Sequence, residues 1–317
     1  MVRFRNTCGW NQKSWLAWPG ICFHRAALYN DGFFTVAAVD LPPLWRNVLQ
    51  THLPLSMNAS FAALAALSFG TLIAQGAVSY TTSGQVVGTD FNSLASSGSS
   101  AAWVNDLTVS GWSLFNFSGG ALATIAVGNG VGNAGSFYSF GSTGSTDRAL
   151  GGLGSGGGYY GSPVNGTTAG YIAVAHTNNT GGVLTAVTLS YDGEQWRNGG
   201  NATAHTYVLE YGFGATFAAV PAWTAAGAGL NFTGPIASTT AAAVDGNIAG
   251  VVPEISGTIS SLTWNPGDTF WLRWIEVNEA GNDHGLAIDN FSFSAVPEPS
   301  AAVTALSLLA GMLVRRR

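Results

Sequence analysis

An all-β fold, a two-sheet antiparallel β-sandwich, is what the sequence predicts for residues 78–295. Three observations predict it. Apolar and polar residues alternate in short runs, and no long helical period interrupts them. Clusters of Gly, Asn, Ser and Asp separate the runs, as turns require. Finally, 37 of the 43 glycines fall within residues 78–297, without the three-residue period of collagen.

Taken in order, the expected strands are Val86–Phe91, Trp112–Phe117, Leu122–Val127, Phe137–Phe140, Tyr171–Thr177 and Leu184–Tyr191. Thr206–Tyr211, Ile255–Thr263, Thr269–Val277 and Leu286–Phe293 follow. In Thr269–Val277, Trp271, Arg273, Ile275 and Val277 share one face, and Phe270, Leu272, Trp274 and Glu276 the other. A run apolar on both faces belongs in mid-sheet. In the last strand Leu286 and Ile288 keep one parity, Phe291 and Phe293 the opposite. Such a shift predicts a β-bulge at Asp289-Asn290. Gly151 to Gly158 reads as a flexible loop.

With 47 % hydrophobic residues and 9 % charged ones, the 317-residue chain is not disordered through charge. A net charge of −5 and a single lysine, Lys13, argue against nucleic-acid binding. The charge is segregated. Residues 78–297 carry 13 acids against Arg148, Arg197 and Arg273, whereas both ends of the chain are basic. That pattern predicts an acidic exported domain between two targeting segments.

Residues 61–74, FAALAALSFGTLIA, have the length and apolarity of a signal-peptide core, with small residues preceding cleavage near Gly76 or Ala77. Residues 57–77 are accordingly expected to be a signal peptide, and 1–56 a mis-assigned or unstructured extension. Translation would then start at or just before Met57, with Arg46 and His52 as the basic flank. The other reading of 1–56 is a short domain packed by Trp10, Trp15, Trp18 and Trp45. Cys8 and Cys22 lie there, either paired or without a role, and the predicted mature domain has no cysteine.

The C-terminus reads Val296-Pro297-Glu298-Pro299, an apolar run from Ala301 to Val314, then Arg315-Arg316-Arg317. Box, apolar helix and basic end in this order resemble the PEP-CTERM sorting signal of Gram-negative bacteria. That pattern is also labelled an ice-binding-protein C-terminal domain, a label that carries no ice binding. The resemblance implies processing by exosortase, transient residence in the inner membrane through residues 296–317, and delivery to the cell surface or an exopolysaccharide matrix. Further stretches are Tyr138 to Gly151, Tyr191-Asp192-Gly193-Glu194-Gln195-Trp196-Arg197, Trp271-Leu272-Arg273-Trp274 and Gly281 to Phe291. Together they resemble an extracellular β-sandwich module of PEP-CTERM proteins, also found beside secreted nuclease domains. That module implies a jelly roll of the lectin type without an established activity.

Several candidate sites follow. Asp90, Asp283, Asp289 and Asn290 offer the hard oxygens that Ca²⁺ prefers, against the simpler reading of turn residues with solvated charge. Trp196 and Arg197, expected in an exposed turn, offer an aromatic face and a polar partner to a sugar, or else a core tryptophan with Arg197 paired to Glu276 or Glu194. Glu276 with Glu279, or Glu194 with Glu210, would be the carboxylate pairs of a glycosidase. Gly130-Val131-Gly132-Asn133-Ala134-Gly135 matches a dinucleotide fingerprint, but a strand rather than a helix follows it. His176, His205 and His284 read as isolated structural residues. No hydrolase signature is present. The expected function is therefore non-catalytic: an exported surface or matrix protein that binds polysaccharide. The alternatives are a structural envelope protein without ligand, and a lectin-fold glycoside hydrolase or polysaccharide lyase.

Overall fold

The computed structural model describes residues 76–297. These belong to the second of two units into which the chain divides, Ile73–Arg317; the first, Met1–Leu72, is outside the described residues. Cys8, Cys22, the apolar runs 61–74 and 301–314, and Glu298, Pro299 and Arg315 to Arg317 also lie outside them, and with them both predicted targeting helices. Among the described residues no helix is long and apolar enough to cross a membrane.

Sixteen strands form the domain: β1 (Val78–Tyr80), β2 (Val87–Thr89), β3 (Ser100–Ala102), β4 (Trp112–Asn116), β5 (Thr124–Gly128), β6 (Ser136–Phe140), β7 (Ala149–Leu153) and β8 (Thr167–Asn178) in the first half. The second half adds β9 (Ala186–Asn198), β10 (Thr206–Phe213), β11 (Thr224–Ala225), β12 (Phe232–Thr233), β13 (Ala242–Ala243), β14 (Val251–Ile259), β15 (Thr269–Asn278) and β16 (Gly285–Val296). The smaller sheet runs β1-β8-β15-β10-β11, with β4 on β8 and β12 on β10. The larger runs β13-β9-β16-β7-β6-β5-β3, with β14 on β9 and β2 on β16. The sheets pack as the predicted sandwich. One correction applies to its antiparallel character: β1 joins β8, and β5 joins β6, in parallel.

The strand with two apolar faces, β15, does sit in mid-sheet, between β8 and β10. Its Phe270, Leu272 and Trp274 point into the core, and each is 0 % exposed. Trp112 stacks on Trp274 with ring centroids 5.6 Å apart, and Tyr191 and Phe291 of the larger sheet meet Trp274 edge-on. This aromatic column ties the sheets together. On the outer face of the same strand the Arg273 guanidinium lies between the rings of Tyr171 and Trp223, 4.4 and 4.0 Å from their centroids, and pairs with Glu210.

The predicted bulge is present. In β16 the register against β9 shifts between Asp289 and Ser292, and Asn290 has φ +50°. Leu286, Ile288, Phe291 and Phe293 all reach one core despite their opposite parities.

Gly151 to Gly158 departs from expectation. Gly151, Gly152 and Leu153 belong to β7, buried between β6 and β16. A Cβ on Gly151 would stand 2.1 Å from the Leu286 carbonyl oxygen, so the glycine marks close packing rather than mobility.

Two variants check this packing. Trp274→Ala is expected to cost about 3–5 kcal/mol in urea unfolding, the range for a buried aromatic truncated to a cavity. Gly151→Ala should also destabilise, because a backbone carbonyl stands where the methyl must go. A variant as stable as the parent in either case would contradict the packing described.

Candidate functional site

One end of the larger sheet is closed by loops too polar to pack as core. Asn129 donates from Nδ2 to Thr143 Oγ1 at 2.9 Å, joining the β5–β6 loop to the β6–β7 loop. Ser145 N–H closes a turn on the Ser142 carbonyl, with Gly144 left-handed at φ +79°. Asn247 donates to Asp147 Oδ2 at 2.7 Å and brings in the β13–β14 loop. Between these loops lies a depression of about 410 Å³, lined by Ser96, Ser97, Asn129, Ser142, Thr143 and Arg148 among others. A smaller depression of about 200 Å³ shares Asn129, Ser142 and Thr143 and continues toward Trp196 and Asp245. The two make one furrow of hydroxyl and amide groups.

Beside the furrow, carboxylates gather on the outer face of the larger sheet. Asp192 and Glu194 share that face of β9, and Asp289 stands opposite Asp192 in the ladder. Glu194 is 3 % exposed and accepts from Trp196 Nε1 at 2.8 Å. Burial, reinforced by Asp147, Asp192 and Asp245, pushes its carboxyl up to about 7. Asp289 is pushed up to about 8 by burial, with Glu194, Asp147 and Asp192 adding to it. Asn290 donates to Asp192 Oδ2, and the Glu254 N–H to Asp192 Oδ1, so that carboxylate is held by two donors.

The expected Ca²⁺ ligands do not come together. β2 does lie beside β16, with Thr89 opposite Phe291, and Asp90 and Asn290 line one cleft of about 620 Å³. Asp283, however, precedes β16 and accepts from the Glu279 N–H. At about 3.3 Å per strand residue it lies on the order of 15–20 Å along the chain from Asp289. Among the described residues no three His, Cys, Asp or Glu side chains are grouped so as to hold a metal ion.

Trp196 is not in an exposed turn. It sits within β9, is 1 % exposed, and stacks on Phe140. Gly193, a turn-type residue by composition, is where the Phe232 ring passes; a Cβ there would come within 2.2 Å of it. Arg197 donates to the carbonyls of Gly130 and Val131 at 3.0 Å, not to Glu276 or Glu194. It thereby clamps the loop of the fingerprint-like glycines, and a Cβ on Gly130 would overlap the Trp196 carbonyl at 1.7 Å. β6 follows that loop, as the alternation predicted.

Of the carboxylate pairs, Glu194 and Glu210 lie on different sheets. Glu276 is enclosed in the core, where burial raises its carboxyl well above the usual range. Tyr207 Oη is 2.6 Å from Glu276 Oε2 and 2.9 Å from the Leu286 carbonyl. The Tyr207 hydroxyl thus stands within donating reach of both the carboxyl and the carbonyl, and burial favours the uncharged form of Glu276.

His205 and His284 are not isolated, for their rings meet at 4.2 Å. His284 Nδ1 accepts from the Gly199 N–H, so Nε2 carries the proton toward the Thr203 carbonyl. Burial lowers both rings, His205 to about 4, and holds them neutral at pH 7. Their separation in sequence gave no sign of the pair. Arg148, a lining residue of the larger depression, lies within the Tyr138 to Gly151 stretch with no local pattern to mark it.

No protein-family model matches the sequence, and no curated protein matches it. Among solved structures, the CBM22-1 xylan-binding domain of Paenibacillus barcinonensis Xyn10C aligns at 10 % identity and TM-score 0.31, covering 69 % of this chain and 99 % of that one. The K3 cleaved adhesin domain of Lys-gingipain from Porphyromonas gingivalis aligns at 10 % identity and TM-score 0.34, covering 66 % and 97 %. Arabinose-bound MgGH51 α-L-arabinofuranosidase aligns at 11 % identity and TM-score 0.30, covering 69 % of this chain and 29 % of that one. At such values none of these bears on the ligand or chemistry of this chain.

The raised carboxyls set a pH dependence. A group whose folded pKa exceeds its unfolded value stabilises fully below the unfolded pKa, near 4, and loses that contribution as pH rises through the folded value. With Glu194 at about 7 and Asp289 at about 8, stability should fall between about pH 4 and 8. The melting temperature is expected to drop by about 5 °C or more across that window, and the double variant Glu194→Gln, Asp289→Asn should lessen the fall, leaving the part set by Asp283, pushed up to about 7 by burial, and by the enclosed Glu276. An unchanged profile in the variant would assign the effect elsewhere.

Proposed function

We propose that this chain is an exported, non-catalytic surface or matrix protein whose sandwich binds polysaccharide along the loop furrow. One observation carries the reading: Ser96, Ser97, Asn129, Ser142 and Thr143 line two adjoining, solvent-open depressions that share Asn129, Ser142 and Thr143. Small hydroxyl and amide groups, with Asn129 and Thr143 held by their mutual hydrogen bond, suit sugar hydroxyls, which need donors and acceptors at set positions. The export part of the proposal rests on sequence. The apolar run 61–74, the Val296-Pro297-Glu298-Pro299 box and the terminal arginines support secretion, passage through the inner membrane and processing by exosortase.

The full chain, screened on a polysaccharide array with and without EDTA, is expected to retain at least one polymer without releasing oligosaccharides. Absence of binding would favour a structural envelope protein. Released oligosaccharides would favour the hydrolase or lyase reading, which has its own support: a carboxyl near pH 7, such as that of Glu194, is what a general acid requires. EDTA-insensitive binding would remove the expected Ca²⁺. For sorting, Pro297→Ala with Glu298→Gln should leave the C-terminal segment unprocessed in the native host; normal processing would overturn the exosortase assignment.

A further inference from the structure

Arg148 is 2 % exposed, yet among the described residues the ion pair is made by Arg273 with Glu210 and not by Arg148. A cation so far out of water is costly unless hydrogen bonds and an opposing charge compensate it. The hydrogen bonds are present. Nε donates to Ser139 Oγ at 2.9 Å, and Nη2 to the carbonyls of Ser139 and Gly128. Ser139 Oγ donates onward to the Ala95 carbonyl, so the holder itself is fixed. All these acceptors are neutral. The nearest acid in sequence, Asp147, favours the charged guanidinium electrostatically, but among the described residues it makes no ion pair with it and bonds Asn247 instead. Among the described residues no hydrogen bond is made by Nη1, which leaves a forked cation with one donor nitrogen, carrying two N–H groups, available.

That donor belongs to a side chain lining the 410 Å³ depression, whose other side chains include Ser96, Ser97, Asn129, Ser142 and Thr143, with no carboxylate among the lining residues. A buried guanidinium and small hydroxyls lining one depression suit an oxyanion, which takes charge-assisted hydrogen bonds from arginine and neutral ones from hydroxyls. We propose that the Arg148 pocket binds an oxyanion, the sulfate ester or carboxylate of an acidic polysaccharide. The polymer part rests on the polysaccharide reading given above; the anion pocket rests on Arg148 alone. Since the region from 78 to 297 carries ten more acids than bases, adsorption of polyanions without a specific site is disfavoured. A preference for them therefore reports on the pocket.

The test compares the full chain on dextran sulfate, alginate and neutral dextran at one ionic strength, with sodium sulfate against sodium chloride in thermal melts. Arg148→Gln is the direct variant. Because it removes buried hydrogen bonds, Ser97→Asp supplies a second: Ser97 is exposed, and the new carboxylate would act as an internal counter-ion. The expected result is retention of dextran sulfate or alginate over dextran by about tenfold or more, lost in Ser97→Asp while its melting temperature is kept. Equal binding of all three polymers, or binding unchanged by Ser97→Asp, would overturn the anion pocket and leave polysaccharide binding standing. If no polymer binds but sulfate raises the melting temperature of the parent and not of Ser97→Asp, the pocket stands and its polymer ligand falls. If neither occurs, both fall.

Discussion

β16 must change neighbours along one edge while keeping the same neighbour on the other. β9 accompanies it from Gly285 to Val296. On the opposite edge β7 pairs with Gly285 to Ile288, and β2 with Phe291 to Phe293. The irregular step falls between, at Asp289 and Asn290. A strand passing from one partner to another at a different height needs an extra residue to reset its hydrogen bonds, and the bulge supplies it. The same step turns Phe291 and Phe293 into the core, where they meet Trp112, Trp274 and Trp264. It also leaves Asp289 beside Glu194 on the outer face. Core closure and the charge of the carboxylate face thus depend on one backbone adjustment.

Polar groups are admitted to this interior under different terms in different places. Glu276 enters as a neutral acid, hydrogen-bonded to Tyr207. His205 and His284 enter as neutral rings against backbone groups. Arg148 cannot discharge, so it is wrapped in carbonyl and hydroxyl oxygens instead. Around Asp289 the neighbours Glu194, Asp147 and Asp192 are all acids, so ionisation as well as packing governs that face.

Much of this was legible in the sequence, for identifiable reasons. All ten expected strands are present, because each carries enough alternation to reveal its period. β15 declared its central position by being apolar on both faces, and the parity shift in β16 declared the bulge. The short strands β1, β3, β11, β12 and β13 span two or three residues and have no period to read. Glycine misled twice in the same way. At Gly151 and at Gly193 it permits close packing within a strand, whereas composition suggested a loop and a turn. The site was less legible still. Trp196 looked available and is buried; the furrow is made by Ser, Thr and Asn from loops distant in sequence, and such residues in a Gly-rich chain look like ordinary turns. The contribution of Arg148 depends on what surrounds it, which no local pattern contains.

The hydroxyl of Tyr80 accepts from the Ala295 N–H at 2.9 Å and donates to the Gln85 carbonyl at 2.7 Å. Gly84 N–H also bonds the Ala295 carbonyl. The first strand of the domain and the end of its last are thereby stapled side by side, so the polypeptide enters and leaves at one place. A domain of that kind closes its own loop. Splicing it into another chain, or joining its ends and opening it elsewhere, would need only a short bridge and little closure entropy. It is a unit that evolution can move between proteins as a cassette, with whatever segments flank it left free to differ.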